Sequence, residues 1–399
     1  MKKTVLFVDD EDMVLQGLQR SMRAMRNDWD MTFVDSGAKA LAFLETTPAD
    51  VIVSDMRMPG MNGAQLFAEV AKRFPKSVRL ILSGHADQEL ILQCVGSTHQ
   101  FLSKPCDPEA LRTTVRRAME LEGSVKNAHL QQLVARMDHL PSIPSLYSEI
   151  VEKMNDPEAA LEDVGVIIAK DPGMTAKILK LVNSAFFGLR REVSNPADAA
   201  AFLGLDTIKS LVLSLNAFSQ YESVKTDGFS LAVLWNHSLA TAAAAKRIAQ
   251  LEKSAAKIVD HAFAAGLLHD VGKTVLAFNF PDQYGKTIQL AQSQGADLLK
   301  AEQETFGANH ADVGGYLLGL WGLPVSVVDA IALHHQPSLS ADEGFTPLTA
   351  VHAANALVCC GRTADSSPAW DAEYLSRLSL TDHAADWHKD FFDTTTNKN

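Results

Sequence analysis

Near the start of this 399-residue chain, three aspartates stand at the ends of short apolar runs. Asp9 and Asp10 follow the run 4–8, and Asp55 follows the run 50–54. Carboxylates gathered that closely repel one another, so they need a hard divalent cation, and oxygen donors with retained waters suit Mg²⁺. Such an ion would neutralise a phosphoryl group moving onto one carboxylate, and aspartyl phosphates are a known form of covalent catalysis. Ser83 and Lys104 close two further runs and offer a hydroxyl and an ammonium to phosphate oxygens. A second set lies downstream: His237, His269-Asp270, His310 and His334-His335. Neutral imidazoles with a carboxylate suit Mn²⁺, Fe or Zn²⁺, and Asp270 could bridge two ions that activate water against a phosphodiester.

The first set needs a scaffold that brings separate strand ends to one rim. Strand-like runs at 4–8, 32–34, 50–54, 78–82 and 100–102 alternate with helical patterns near 12–26, 37–46, 63–73, 87–95 and 107–121. That alternation predicts a doubly wound, five-stranded parallel sheet with helices on both faces. Ligands of such sheets sit at the carboxyl ends of the strands, where all five polar residues fall. From 107 to about 138 the helical pattern continues past Gly123, as one connecting helix or two. Leu140-Pro-Ser-Ile-Pro144 then breaks it.

Beyond 145, apolar residues recur at helical spacing over 146–154, 161–169, 174–182, 197–203, 208–218, 231–250, 257–268, 284–294, 311–321, 326–333 and 348–359. Ser, Asp, Asn and Pro mark the joins, which predicts an all-helical domain. The last thirty residues are polar and are expected to be peripheral, fraying at 394–399. His261 and His352 fit neither constellation and read as structural, while Trp235 and Trp321 read as core.

Composition narrows the function classes. Hydrophobic residues are 47% and charged residues 21%, the balance of a globular chain with an ample core. A net charge of −12 repels phosphate backbones and anionic lipid, which argues against a nucleic-acid face or a membrane anchor. Cys94, Cys106, Cys359 and Cys360 are too scattered for a disulfide framework, and a reduced, cytoplasmic setting is expected. The apolar run after Lys2-Lys3 meets acids too soon for a signal peptide.

Val8-Asp-Asp-Glu11, Ser54-Asp-Met-Arg-Met-Pro-Gly60, Asn62-Gly63, Ser83-Gly84 and Lys104-Pro105 together resemble a bacterial response-regulator receiver domain of flavodoxin-like fold. The resemblance implies that Asp55 is the phosphoacceptor. It implies Mg²⁺ on Asp10, Asp55 and the Arg57 carbonyl, with Asp9 assisting through water. Ser83 and Lys104 would read the phosphate, Phe101 would be the aromatic switch, and a histidine kinase or phosphotransfer protein the donor. Leu267-Leu-His-Asp-Val-Gly-Lys273 resembles the core of HD-type phosphohydrolases. The histidine order resembles HD-GYP cyclic-dinucleotide phosphodiesterases, with Lys273 as a phosphate contact. The chain departs from that pattern at two places. No Gly-Tyr-Pro follows His335, and Asn355 falls where a closing metal aspartate belongs.

Leu140-Pro-Ser-Ile-Pro144, Asp171-Pro-Gly-Met-Thr175, Lys180-Leu-Val-Asn-Ser-Ala185 and Ala200-Ala-Phe-Leu-Gly204 are similar to an HDOD domain, which implies a regulatory output. The expected organisation is a receiver over 1–121, a helical linker over 122–139, an HDOD domain over 140–340 and a helical extension with tail over 341–399. The expected function is phosphorylation-controlled binding of a downstream protein, with a homodimer as the expected oligomer. A metal-dependent cyclic di-GMP phosphodiesterase is the alternative. Three readings of the histidine cluster stay open: a vestigial site held by hydrogen bonds, a metal site without turnover, and a working hydrolase.

Overall fold

The computed structural model describes residues 2–84, 97–121, 134, 153, 160–183, 193–203, 226–360 and 368–396. The expected helices over 87–95, 146–154 and 208–218, the linker 122–139 and the breaker at 140–144 lie outside the described residues, Val134 and Lys153 apart. So do Cys94, Gly123, Ser184, Ala185 and Gly204 of the motifs above.

Five strands form one parallel sheet: β1 (Lys3–Val8), β2 (Trp29–Val34), β3 (Val51–Asp55), β4 (Val78–Ser83) and β5 (Gln100–Ser103), in the order β2-β1-β3-β4-β5. Every residue of β3 and β4 is buried, as expected for strands covered on both faces. Helices α1 (Asp12–Ser21), α2 (Gly37–Thr46), α3 (Gly63–Arg73) and α4 (Pro108–Leu121) make the crossovers and the closing layer. The helix expected over 12–26 divides: α1 stops at Ser21 and a 3-10 turn, Arg23–Asn27, follows. α3 starts at a capping box. The Gln65 N–H donates to Asn62 Oδ1 (2.8 Å) and the Asn62 N–H to Gln65 Oε1 (3.1 Å). Gly63 is required there, because a Cβ would lie 2.3 Å from the Asp55 carbonyl oxygen.

Contacts divide the chain into two compact units. The first comprises Met1–Leu140 with Lys177–Glu192 and Tyr316–Leu323, so two helical segments join the sheet within it. There Lys180 Nζ donates to the Thr98 carbonyl (2.8 Å), Gln100 Nε2 to that of Leu320 (3.1 Å), and an Arg117 guanidinium N–H to that of Leu323 (2.9 Å).

Described elements beyond residue 160 are all helical: α5 (Leu161–Ile168), α6 (Pro172–Val182), α7 (Pro196–Leu203), α8 (Leu231–Leu251), α9 (Ala256–Leu268), α10 (Val271–Asn279), α11 (Pro281–Gln294), α12 (Leu298–Phe306), α13 (His310–Leu320), α14 (Val325–Leu333), α15 (Pro347–Cys359), α16 (Ala372–Arg377) and α17 (Thr381–Thr396), with a 3-10 turn at Pro337–Leu339. The alanine-rich α8 packs on α9 and α15 at the centre of the second unit. Trp235 and Trp321 are buried, as expected. α10 and α12 have no counterpart in the sequence reading; Gly272, Lys273 and Thr274 obscure the apolar spacing of the first. No helix among the described residues is long and apolar enough to cross a membrane.

The expectation of a peripheral last segment is corrected. Tyr374, Leu375 and Trp387 are buried, and the helix runs through Thr396 rather than fraying at 394. Trp387 Nε1 donates to Glu252 Oε1 (2.8 Å), and Arg247 pairs with both Asp390 carboxylate oxygens (2.6 and 2.9 Å). Trp387 and Phe391 line a cavity with Ala240, Ala244 and Ile248 of α8 and Leu357 of α15, while Asp382, Asp386 and Lys389 are exposed. Trp387→Ala is therefore expected to lower unfolding stability by about 3 kcal/mol, read from the urea midpoint; a peripheral tail would leave it unchanged.

Candidate functional sites

The first site lies on the carboxyl rim of the sheet. Asp9 follows β1, Asp55 ends β3, Ser83 ends β4 and Lys104 follows β5. Lys104 Nζ stands 2.7 Å from Asp9 Oδ2 and 2.6 Å from Asp55 Oδ1, so one ammonium bridges two carboxylates. The Glu11 N–H donates to the other Asp9 oxygen (3.0 Å). Asp9 and Asp55 are buried and Asp10 is exposed, yet donor atoms of all three lie within 4.8 Å of one another. Burial raises the Asp55 pKa against the opposing pull of Lys104. Burial also opposes the Lys104 charge, but Asp55 and Asp9 outweigh it and hold that pKa up. Ser83 Oγ is buried without a hydrogen-bond partner. Phe101 is buried on β5. Three carboxylates, one ammonium and a free hydroxyl fit a Mg²⁺ ion together with a phosphoryl group.

The second site lies wholly within the second unit. His269 and Asp270 form the corner between α9 and α10, His310 opens α13, His334 and His335 follow α14, and His237 and Asn355 stand on α8 and α15. Gly272 permits the corner, because a Cβ there would lie 1.9 Å from the His310 carbonyl oxygen. Asp270 is fully buried and central. Its Oδ1 lies 3.2 Å from His310 Nε2 and 3.8 Å from His334 Nε2. Its Oδ2 lies 2.7 Å from Lys273 Nζ, 3.4 Å from His269 Nε2 and 3.7 Å from His237 Nε2. Burial alone would push the Asp270 pKa up, but His269 and Lys273 hold it well below the carboxylate range.

Hydrogen bonds set the imidazole tautomers. His269 Nδ1–H donates to the Gly266 carbonyl and His334 Nδ1–H to that of Ile331, both at 2.7 Å. The neutral His334 ring therefore presents a lone pair at Nε2, and neither His269 Nε2 nor His334 Nε2 has a hydrogen-bond partner. Burial lowers the pKa of His334 strongly, of His335 to about 3 and of His237 to about 4, so these three rings are neutral. Bare, buried imidazole nitrogens converging on a carboxylate fit a first-row transition metal.

Glu302 and Tyr284, which the sequence reading did not assign to the site, complete this arrangement. Glu302 on α12 is buried and accepts from His310 Nδ1 (2.7 Å), from the His310 backbone N–H (2.8 Å) and from the Tyr284 hydroxyl (2.9 Å). Burial opposes a charge on His310, but Glu302 outweighs it and raises that pKa. The only sequence signal was an acid on the inward face of a short helix. Lys273 Nζ donates to Asp270 Oδ2 at 2.7 Å. Asn355 Oδ1 pairs with His237 Nε2 at 3.0 Å. Among the described residues, Cys106 and Cys359 form no disulfide.

Family models match a response regulator receiver domain over residues 5–116 and an HDOD domain over 140–337. The chain is a receiver–HDOD response regulator. The crystal structure of the MmoQ response regulator from Methylococcus capsulatus is similar: 27% identical, TM-score 0.50, covering 63% of this chain and 97% of that one. A hydrogenase transcriptional regulatory protein, HoxA, of Cupriavidus necator is 36% identical over 163 residues, 39% of this chain and 32% of that protein. A cyclic di-GMP phosphodiesterase of Thermotoga maritima is 24% identical over 137 residues, 34% of this chain and 36% of that protein. The chain thus spans about a third of the length of each of these two curated relatives.

His352, read from sequence as structural, anchors the backbone of His334. Its Nδ1–H donates to the His334 carbonyl and its Nε2 accepts the Asp371 N–H, both at 2.8 Å. Burial lowers its pKa from 6.5, so the folded chain binds that proton less readily than the unfolded chain. Its contribution is fully present above pH 6.5 and is lost as the pH falls below that value. In chelator, His352→Gln is expected to flatten the decline in urea midpoint below pH 6.5; an unchanged slope would show that His352 does not titrate in this way.

Proposed function

We propose that a histidine kinase or phosphotransfer protein phosphorylates Asp55, and that this controls an HDOD output which acts by binding another protein. The observation that carries the reading is Lys104 spanning Asp9 and Asp55 beside the unpartnered Ser83 hydroxyl. Bound Mg²⁺, held by Asp9, Asp10, Asp55 and the Arg57 carbonyl, would supply the charge that lets an anionic phosphoryl group approach three carboxylates. An Asp55 carboxylate oxygen attacks the phosphorus of a phosphohistidine. The new O–P bond forms as the P–N bond breaks, and the imidazole leaves with that electron pair. Lys104 then exchanges a carboxylate contact for a phosphate oxygen, and Ser83 Oγ–H gains an acceptor.

A new charge beside Lys104 gives the two receiver states a differential interaction, which a switch requires. Phe101 lies next to Gln100, and within the first unit Gln100 donates to the Leu320 carbonyl. A rearrangement of β5 thus has a hydrogen-bonded neighbour in an HDOD segment. The two donor sets that share Asp270 favour a second reading, a metal-dependent cyclic di-GMP phosphodiesterase. Against it stand the amide of Asn355 in place of a carboxylate and the missing Gly-Tyr-Pro.

Acetyl phosphate with Mg²⁺ is expected to phosphorylate the chain, read by intact mass, and Asp55→Asn is expected to abolish the adduct. Equal uptake by both proteins would exclude Asp55. Cyclic di-GMP is expected to survive incubation with chain loaded anaerobically with Mn²⁺ or Fe²⁺. Hydrolysis that His269→Ala abolishes would establish the hydrolase reading instead.

A further inference from the structure

We propose that the second unit binds an organic cation with an apolar body, such as an arylalkyl ammonium or guanidinium ion, in the cleft between α8 and α17. This holds independently of the phosphorylation reading and of the Asp270 cluster. The cleft has a volume of about 370 Å³, and small-molecule sites occupy roughly 300–1,000 Å³. On the α8 side Ala240, Ala243 and Ala244 offer only methyl groups, so the space between the helices stays unfilled. On the α17 side stand the rings of Trp387 and Phe391.

The only charged groups lining the cleft are Arg247 and Asp390. Arg247 Nε and Nη2 donate to Asp390 Oδ2 and Oδ1 at 2.9 and 2.6 Å. The two side chains are not equally placed: that of Arg247 is 52% exposed and that of Asp390 21%. The carboxylate is thus the inner group and the guanidinium the outer one. A planar cation on an apolar stem already occupies the place of the ligand's head group. An ion pair this exposed contributes little stability, so a ligand cation displaces Arg247 at small cost.

The aromatic wall is suited to the same charge. Trp387 Nε1 donates to Glu252 Oε1 at 2.8 Å. A carboxylate at the indole N–H fixes the ring and adds negative potential to its face, which attracts a cation. Asp382 and Asp386 are exposed on α17, about two turns and one turn ahead of Asp390, against one lysine, Lys389, on that helix. Charge complementarity therefore selects a cationic head over an anionic one, and the net charge of −12 acts in the same direction.

The test titrates the full chain by calorimetry with phenylbutylammonium, phenylpentanoate and phenylbutanol, which share one apolar body and differ in head group. Phenylbutylammonium is expected to bind at one site per chain, about tenfold more tightly than either of the others. Asp390→Asn is expected to weaken it about tenfold and to strengthen phenylpentanoate, because Arg247 is released to the added carboxylate. Arg247→Ala is expected to tighten phenylbutylammonium about two- to fivefold by removing the resident competitor. Ala243→Leu fills the cleft from an exposed position and is expected to abolish binding, with circular dichroism checking the fold of each variant. Equal affinities for the three probes, tighter binding of phenylpentanoate by the parent, or ammonium binding that Ala243→Leu leaves intact would each overturn the proposal. Absence of binding to both the parent and Arg247→Ala would overturn it too, as would a dimer that Ala243→Leu dissociates and phenylbutylammonium leaves intact.

Discussion

A carboxylate removed from water must meet a cation or lose its charge, and the rest of each unit is arranged around that constraint. In the receiver, Lys104 reaches across from β5 to neutralise Asp9 and Asp55 together. In the HDOD unit, Lys273 reaches back three residues along its own helix to Asp270. One ammonium bridges strands and the other closes a helical corner. Both leave part of the anionic site open: Asp10 faces solvent, and Asp270 Oδ1 lies 3.8 Å from the unpartnered His334 Nε2.

Those positions depend on how closely the backbone can approach itself. Gly63 lets α3 start against the carbonyl of Asp55, and Gly272 lets α10 start against that of His310. In the first unit the polar groups stand at strand ends with apolar runs behind them; in the second, His269, Asp270, His310, His334 and His335 stand at helix ends while His237, Glu302 and Asn355 project from within helices. The imidazoles are further restrained from outside by Gly266, Ile331 and Glu302, which hold their Nδ1 protons. That shell, rather than the histidines alone, makes the donor atoms convergent.

The receiver was legible because its signals are local and periodic. Apolar runs of strand length, each ending in a named polar residue, dictate a parallel sheet whose carboxyl rim collects Asp9, Asp55, Ser83 and Lys104. The helical domain was legible in class, and the residues of the Asp270 cluster were visible as types. Its C-terminal helices were misread, because polar side chains on the outside of α17 outnumber the aromatic residues that seal it. What only the tertiary structure decided was which atom faces which: Glu302 beneath His310, Lys273 on Oδ2, and the bare Oδ1. Residue type and spacing are properties of one chain read in order. The two sides of a single carboxylate are distinguished only when α8, α10, α12, α13 and α15, far apart in sequence, pack around it.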